Sequence, residues 1–170
     1  MEQAMDTKAY TENPFEGLSG KYLTFTLAGE EYGIAILKVK EIIGLMPITP
    51  VPKAPSFVKG VINLRGKVIP IMDLRLKFGM EPLEYTNRTC IIVVEVSSSE
   101  SQVTMGLIVD SVSEVLNIKG DDIQQTPSFG TDINTDYILG MAKMDGKVKI
   151  LLDIDKVLSM EELQKMERAV

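Results

Sequence analysis

The sequence predicts a mainly β fold of two similar small barrels or sandwiches, followed by one long helix at the C-terminus. The first indication is an internal repeat, because residues 57–74 match residues 137–154 at a shift of 80 positions. A second pair of segments, 32–43 and 105–116, matches at a shift of 73. The second indication is that short strand-like segments alternate with closely spaced turn residues, which is typical of small barrels or sandwiches.

The first copy of the repeat is expected to begin with two strands. Residues 21–27 alternate apolar and polar side chains, and a second strand is expected near 31–36. The segment 37–43 fits either a short helix or a strand. Residues 47–55 are rich in proline and must run extended, outside any helix or central strand.

Two further strands and a helical turn complete this copy. The strands are expected near 58–64 and 67–72, joined by Arg65-Gly66. Residues 73–79 read as one or two helical turns that end at a glycine.

The second copy repeats this order with a longer polar loop, 117–136. The dipeptide Asp145-Gly146 predicts a two-residue hairpin turn. Ser159 and Glu162 have the spacing of a capping box, which predicts a helix over 159–170. The strands of this copy are expected near 89–96, 103–109, 138–144 and 147–152.

Composition and charge exclude several classes of protein. The chain has 170 residues, 45% of them hydrophobic, and a net charge of −6. Its N-terminus lacks the apolar segment of a signal peptide, and no apolar run has the length of a membrane span. A single cysteine, Cys90, excludes a disulfide framework. We therefore expect a soluble cytoplasmic protein, and its acidity argues against nucleic acid and anionic membranes as partners.

The residues available for catalysis are few. There is no histidine, so neither a Ser-His-Asp triad nor a histidine zinc site can form. No phosphate-binding glycine motif is present. Carboxylates remain as candidates for a divalent cation or for acid–base catalysis, although solvated acids on turns explain them more simply. The carboxylates considered are Asp110, Asp121, Asp122 and Asp153.

Two carboxylates occupy matching positions in the repeat. Asp73 and Asp153 each follow a buried strand. They would form either a polar site shared by the copies or structural caps of the following turns. We favour caps, since aspartate commonly accepts hydrogen bonds at such positions.

The main difference between the copies is Arg65, which matches Asp145. Asp145-Gly146 suits a type I′ turn, whose two central residues need positive φ. Arginine is a poor residue for that conformation. Either the first copy uses another turn type, or arginine is kept there for function. On its own, an exposed turn arginine is more commonly solvated than bound to a partner.

The segment FVKGVINLRGKVIPIMDLRLKFG (57–79) resembles the signature of the CheW adaptor family of bacterial chemotaxis. EEYGIAILKVKEI (30–42), GLIVDSVSEVL (106–116) and LLDIDKVL (151–158) also resemble that family. The resemblance extends from about Lys21 to Met166.

The resemblance implies two SH3-like five-stranded β-barrels around a hydrophobic junction. It also implies that the strand at 21–27 pairs with the second barrel. The expected divisions are a flexible tail at 1–19, one CheW-like domain at 20–158 with subdomains at about 28–84 and 85–154, and the helix at 159–170.

The resemblance further implies a non-enzymatic adaptor without cofactor or metal. Members of the family couple the CheA histidine kinase, through its regulatory domain, to the cytoplasmic tips of methyl-accepting chemoreceptors. This places the protein in the cytoplasm, held at the membrane by receptor arrays without inserting into it. Two alternatives remain: a coupling domain detached from a larger kinase or receiver-containing adaptor, and a carboxylate hydrolase acting in the cleft between the barrels.

Site residues follow from the resemblance position by position. Arg65 matches the receptor-contact region, which favours a receptor contact over a solvated arginine. Val112 and Val115 are candidates for the kinase contact, with burial in the core as the competing interpretation. The residues assigned to receptor binding are Val39, Glu41, Gly60, Asn63, Arg65 and Gly66.

Overall fold

The structure is a computed structural model that describes residues 14–97, 101–127, 135–159 and 162. Within these ranges, eleven strands form two mixed sheets, and helix is confined to short turns. The prediction of a mainly β fold is confirmed.

The predicted C-terminal helix lies outside the described residues except for the two that would cap it. The backbone N–H of Ser159 donates to Glu162 Oε1 at 2.8 Å, and that of Glu162 donates to Ser159 Oγ at 3.1 Å. These reciprocal bonds form the capping box that the sequence predicts.

The strands of the first half lie close to their predicted positions. The ambiguous segment 37–43 forms a 3₁₀ turn at Ile36–Lys38 followed by a strand, β3, in which half-buried and exposed residues alternate. Asp73 caps the short helix α1. The elements are β1 (Gly20–Leu27), β2 (Glu30–Ala35), β3 (Val39–Gly44), β4 (Val58–Leu64), β5 (Lys67–Asp73) and α1 (Leu74–Lys77).

The second half repeats this order and adds a short strand, β9, within the predicted polar loop. The strand after β7, at 111–118, corresponds to β3 in the repeat. The elements are β6 (Cys90–Ser97), β7 (Gln102–Val109), β8 (Ser111–Ile118), β9 (Ile123–Gln124), β10 (Ile138–Met144) and β11 (Lys147–Leu152).

Each sheet contains strands from both copies. The six-stranded sheet has the order β8-β1-β2-β11-β10-β9, and the five-stranded sheet has the order β3-β6-β7-β5-β4. The resemblance implied that the strand at 21–27 pairs with the second unit, and β1 does pair with β8; β2 crosses with it, and β6 and β7 cross in the opposite direction. The sheets therefore do not follow the expected contiguous division into 28–84 and 85–154.

This exchange is reciprocal. In the parallel ladder between β5 and β7, Ile71 pairs with Gly106, and in the ladder between β11 and β2, Leu151 pairs with Gly33. Since the repeat equates 71 with 151 and 33 with 106, the two ladders are the same contact made in opposite directions. Each sheet is thus an equivalent of the other.

The paired glycines are explained by these ladders. A Cβ atom on Gly106 would lie 2.6 Å from Ile71 Cδ1, and one on Gly33 would lie 3.1 Å from Leu151 Cδ2. Close packing across the parallel strands leaves no room for a side chain at Gly106 and only a tight fit at Gly33.

One large hydrophobic core joins the two sheets. Phe25 and Leu27 from the six-stranded sheet belong to the same buried cluster as Met72 and Leu107 from the five-stranded sheet. A smaller cluster lies within each sheet. The shared core holds the two sheets in a fixed relative position.

Residues 14–19 belong to the tail expected at 1–19, and in the structure several of them contact the folded domain. Phe15 and Leu18 pack against a buried cluster, and the carbonyl of Leu18 accepts a hydrogen bond from the Tyr22 hydroxyl at 2.7 Å. Ser19 Oγ accepts from the backbone N–H of Gly120 at 2.6 Å. These contacts order a segment whose sequence lacks periodicity, and residues 1–13 lie outside the described ranges.

Candidate partner-binding surfaces

The turn between β4 and β5 has the same backbone conformation as its equivalent in the second copy. Arg65 has φ 52° and Gly66 has φ 87°, while Asp145 has φ 53° and Gly146 has φ 74°. The first copy therefore keeps the turn type, and arginine occupies a left-handed position that disfavours it. Of the two interpretations from the sequence, the structure excludes a different turn type. Arginine stands in a backbone conformation that it disfavours.

The side chain of Arg65 extends from this turn to β3. It is 70% exposed and forms an ion pair with Glu41. The hydrogen bond with Glu41 and the negative charge of that carboxylate raise the pKa of Arg65 above its ordinary value. Two of the predicted receptor-binding residues, distant in sequence, are thus in direct contact.

A groove of about 350 Å³ lies beside this ion pair. Its apolar floor includes Ile69, and its rim carries positively charged side chains. The sequence prediction missed most of these residues; of the missed ones, Val93 and Thr104 belong to the second copy and reach the groove only through the exchange of β6 and β7 between the sheets. The lining residues are Lys40, Glu41, Leu64, Arg65, Lys67, Ile69, Val93 and Thr104.

The remaining predicted receptor-binding residues mainly shape the backbone. Asn63 Oδ1 accepts from the Gly66 N–H at 2.9 Å and so closes the turn. Gly60 is buried with φ 141°, and a Cβ there would overlap the carbonyl oxygen of Thr49. Val39 is half-buried and packs against the main core.

The two predicted kinase-binding residues lie in different environments on the edge strand β8. Val115 is 49% exposed. Val112 pairs with Phe25 and packs against the main core, so it is not a free surface residue. Ile42 on β3, which the repeat equates with Val115, is 43% exposed and was not singled out from the sequence. The repeat, which aligns Ile42 with Val115, is the feature of the sequence that could have identified it.

The two matching carboxylates have structural roles, as predicted. Asp73 Oδ1 accepts from the backbone N–H groups of Arg75 and Leu76 at 2.9 and 3.3 Å, and its Oδ2 accepts from the Tyr85 hydroxyl at 2.8 Å. Asp153 accepts from the N–H of Asp155 at 3.1 Å. Both carboxylates cap the turns that follow their strands.

The other carboxylates do not assemble a metal centre within the described ranges. Asp110 pairs with the buried Arg75 at 2.6 Å and accepts from the N–H of Ala28 at 2.9 Å. No cluster of three or more potential metal ligands occurs among the described residues. The same residues include no helix that is long and apolar enough to cross a membrane.

Comparison with known proteins identifies one family. The family model described as a CheW-like domain matches residues 21–162. Chemotaxis protein CheW of Klebsiella aerogenes is 41% identical over 148 residues, which cover 87% of each chain. Chemotaxis protein CheW of Rhizobium meliloti is 39% identical over 140 residues, or 82% of this chain and 88% of that protein.

A solved structure shows the same architecture. The crystal structure of the scaffolding protein TtCheW from Thermoanaerobacter tengcongensis superposes with a TM-score of 0.73 and 36% identity, covering 85% of this chain and 95% of that one. With a family model over most of its length and relatives of this similarity, the chain belongs to the CheW family of chemotaxis coupling proteins.

Proposed function

We propose that this chain couples a CheA-type histidine kinase to the cytoplasmic tips of chemoreceptors as a non-catalytic adaptor. The observation that carries the proposal is the asymmetry between two otherwise equivalent copies. Only the first copy places an arginine at the hairpin tip, where it borders a groove. Two different faces on one rigid core are what a protein needs to hold two different partners.

The receptor face is assigned to the groove beside Arg65. A guanidinium offers five donors in a planar fork, which suits carboxylate and carbonyl acceptors. In the free protein Glu41 occupies part of that fork. Because the arginine side chain is largely exposed, its remaining donors are open to a receptor carboxylate, carbonyl or amide.

The kinase face is assigned to the edge strand β8. Val115 presents an exposed apolar side chain there. Exposed apolar side chains on a sheet edge suit a partner that presents a similar surface. Since the regulatory domain of the kinase resembles the CheW family, two related folds would meet edge to edge.

The mechanism is assembly without chemistry. The shared core between the sheets sets the distance from the Arg65 groove to β8, so receptor and kinase are held in a fixed arrangement. Several copies joined to receptors and kinases would form an array in which individually weak contacts reinforce one another. Such arrays would keep the adaptor in the cytoplasm, beside the membrane that holds the receptors.

The alternatives have less support. A hydrolase would need a free carboxylate pair, whereas Asp73 and Asp153 are engaged as caps. For the alternative of a coupling domain within a longer protein, chemotaxis protein CheV3 of Helicobacter pylori is 29% identical over 129 residues, which are 40% of its length. The CheW relatives are more similar and match along most of their length.

Reconstitution tests the proposal directly. Receptor signalling fragments, kinase and this chain are mixed, and the rate of kinase autophosphorylation is measured with and without the chain. We expect receptor control of the kinase only when the chain is present, and binary binding to each partner alone. Binding to neither partner, or full coupling without the chain, would overturn the proposed function.

A further inference from the structure

We propose that the residues at two matched positions decide which of the two copies offers a receptor groove. In the first copy these positions hold Ile69 and Thr104, which form part of an open floor. In the second they hold Lys149 and Glu31, which plug the equivalent space. The inference rests on the proposed function and names the residues that restrict receptor binding to one face.

The correspondence follows from the repeat and from the sheet registers. Lys149 and Ile69 are related by the shift of 80, and Glu31 and Thr104 by the shift of 73. Each residue also stands two positions before a partner in the matching parallel ladders, Ile71 with Gly106 and Leu151 with Gly33. The two pairs therefore occupy the same place in equivalent sheets.

The first copy has no ionic group on the floor of its groove. Ile69 is only 4% exposed, and Val93 and Thr104 complete the floor. Lys40 and Lys67 stand on the rim together with Arg65. This combination suits an apolar side chain that enters the groove between flanking carboxylates.

The second copy has an ion pair at those positions. Lys149 Nζ lies 2.6 Å from Glu31 Oε2, and the lysine side chain is 8% exposed. Inserting a ligand side chain between them would leave a buried charge without its partner, which is strongly unfavourable. The pair thus closes the space as effectively as a bulky side chain.

The rim of the second copy also differs from the first in a way that disfavours the receptor ligand. Asp145 replaces Arg65, Ser113 replaces Lys40 and Glu114 matches Glu41, so Lys147, the match of Lys67, is the one rim cation that both copies share. The second rim therefore attracts acidic residues less than the first rim does. Plug and rim together exclude the same ligand.

Introducing the equivalent of the Lys149–Glu31 ion pair into the first copy provides the test. The double variant Ile69→Lys/Thr104→Glu places in the first sheet a pair that the second sheet already accommodates. Because Ile69 belongs to a buried apolar cluster, the melting temperature should fall, but in the folded variant the affinity for a receptor signalling-tip fragment should fall by roughly tenfold or more while kinase affinity is retained. Gln102→Glu, an exposed position on the same strand and outside the groove, is the matched control and should bind the fragment normally.

A single variant keeps the test decisive if the double variant does not fold. Thr104 is only partly buried, so Thr104→Glu should fold and still place a carboxylate in the groove. It should weaken binding of the receptor fragment more than Gln102→Glu does. If a folded plug variant binds as wild type while Arg65→Glu does not, the groove floor is not the determinant and the proposed function stands. If wild type itself fails to bind the fragment, the proposed function fails first.

Discussion

Arg65 and Asp145 occupy the same position of two equivalent hairpin turns, with φ angles of 52° and 53°. A short aspartate side chain tolerates this left-handed conformation, whereas a long side chain such as arginine is uncommon there. The arginine is thus retained against the preference of its own backbone. Such violations of a local rule concentrate at functional positions.

Replacing Arg65 should separate binding from stability. Arg65→Asn introduces a residue that favours the left-handed turn, so the melting temperature should stay the same or rise. Loss of the guanidinium should weaken binding of a receptor fragment by roughly tenfold to a hundredfold, the range for a charge-assisted hydrogen bond. Calorimetric titration and thermal denaturation of the same preparation measure both properties.

Two comparisons sharpen this experiment. Arg65→Lys should restore binding only in part, since lysine cannot present the planar fork. Asp145→Asn changes the equivalent turn and should leave receptor binding unaltered. Arg65→Asn that binds the receptor normally, or that loses kinase binding equally, would show that this face is wrongly assigned.

Substitution by glutamate should have different effects at the two valines of β8, on kinase binding at one and on stability at the other. Val115→Glu places a charge on an exposed position and should abolish kinase binding with little change in stability. Val112→Glu places a charge against the main core and should lower the free energy of unfolding by several kcal/mol, roughly the cost of an unpaired buried charge. Urea denaturation and a binding assay with the kinase regulatory domain distinguish the two.

Ile42 supplies the control for the kinase face. It is the repeat equivalent of Val115, has similar exposure and lies on the edge of the other sheet. Ile42→Glu should leave kinase affinity intact if β8 alone forms the contact. Equal losses from Ile42→Glu and Val115→Glu would assign both edges to the kinase.

Local sequence patterns predicted most strands but could not predict how they pair. The alternation at 21–27 and the hairpin at Asp145-Gly146 depend on neighbouring residues, and both are present in the structure. Pairing of β5 is different, because Gly33 and Gly106 offer it equivalent partners in the two copies. Either choice buries similar residues, so the repeat that reveals the two units conceals the exchange between them.

The same ambiguity in strand pairing limited how much of the candidate site the sequence could predict. The family resemblance assigned Arg65 and Glu41 to the same surface, and both residues belong to the first copy. Thr104 comes from the second copy and reaches the groove only through the exchanged strand β7. For Val112 the sequence left a kinase contact and burial in the core as alternatives, because it does not show that β8 turns this side chain towards the core.

The exchange of strands between the two sheets can be tested by measuring the stability of a variant at Gly106. Gly106→Ala places a methyl group within 2.6 Å of both Ile71 Cδ1 and Ile91 Cγ2, closer than two such atoms can approach. Overpacking of this kind costs about 1–3 kcal/mol. Gly33→Ala should cost less, since its nearest contact is the flexible end of Leu151 at 3.1 Å.

A second substitution identifies the clash. Ile71→Val removes the Cδ1 atom, so Gly106→Ala/Ile71→Val should be more stable than the sum of the two single effects predicts. Equilibrium urea denaturation of the four proteins in this cycle measures the coupling. Strict additivity would mean that Gly106 and Ile71 are not adjacent and that the parallel ladder is incorrect.

The last prediction concerns Tyr85, whose hydroxyl donates to Asp73. Burial, together with the hydrogen bond to Asp73 and its charge, raises the pKa of Tyr85 well above its ordinary value. The folded state therefore favours the neutral phenol. Its contribution to stability is complete below the unfolded pKa of about 10 and is lost as the pH rises through the folded pKa.

Tyr85→Phe should remove this contribution. At neutral pH the variant should be less stable by about 1 kcal/mol, the value for a partly exposed hydrogen bond. The difference from wild type should stay constant up to about pH 10 and shrink at higher pH, as ionisation of the phenol weakens the wild-type protein. Urea denaturation across this range, with tyrosinate absorbance followed in parallel, measures the trend. A difference that grows with alkaline pH would mean that the Tyr85 hydroxyl is not held by Asp73.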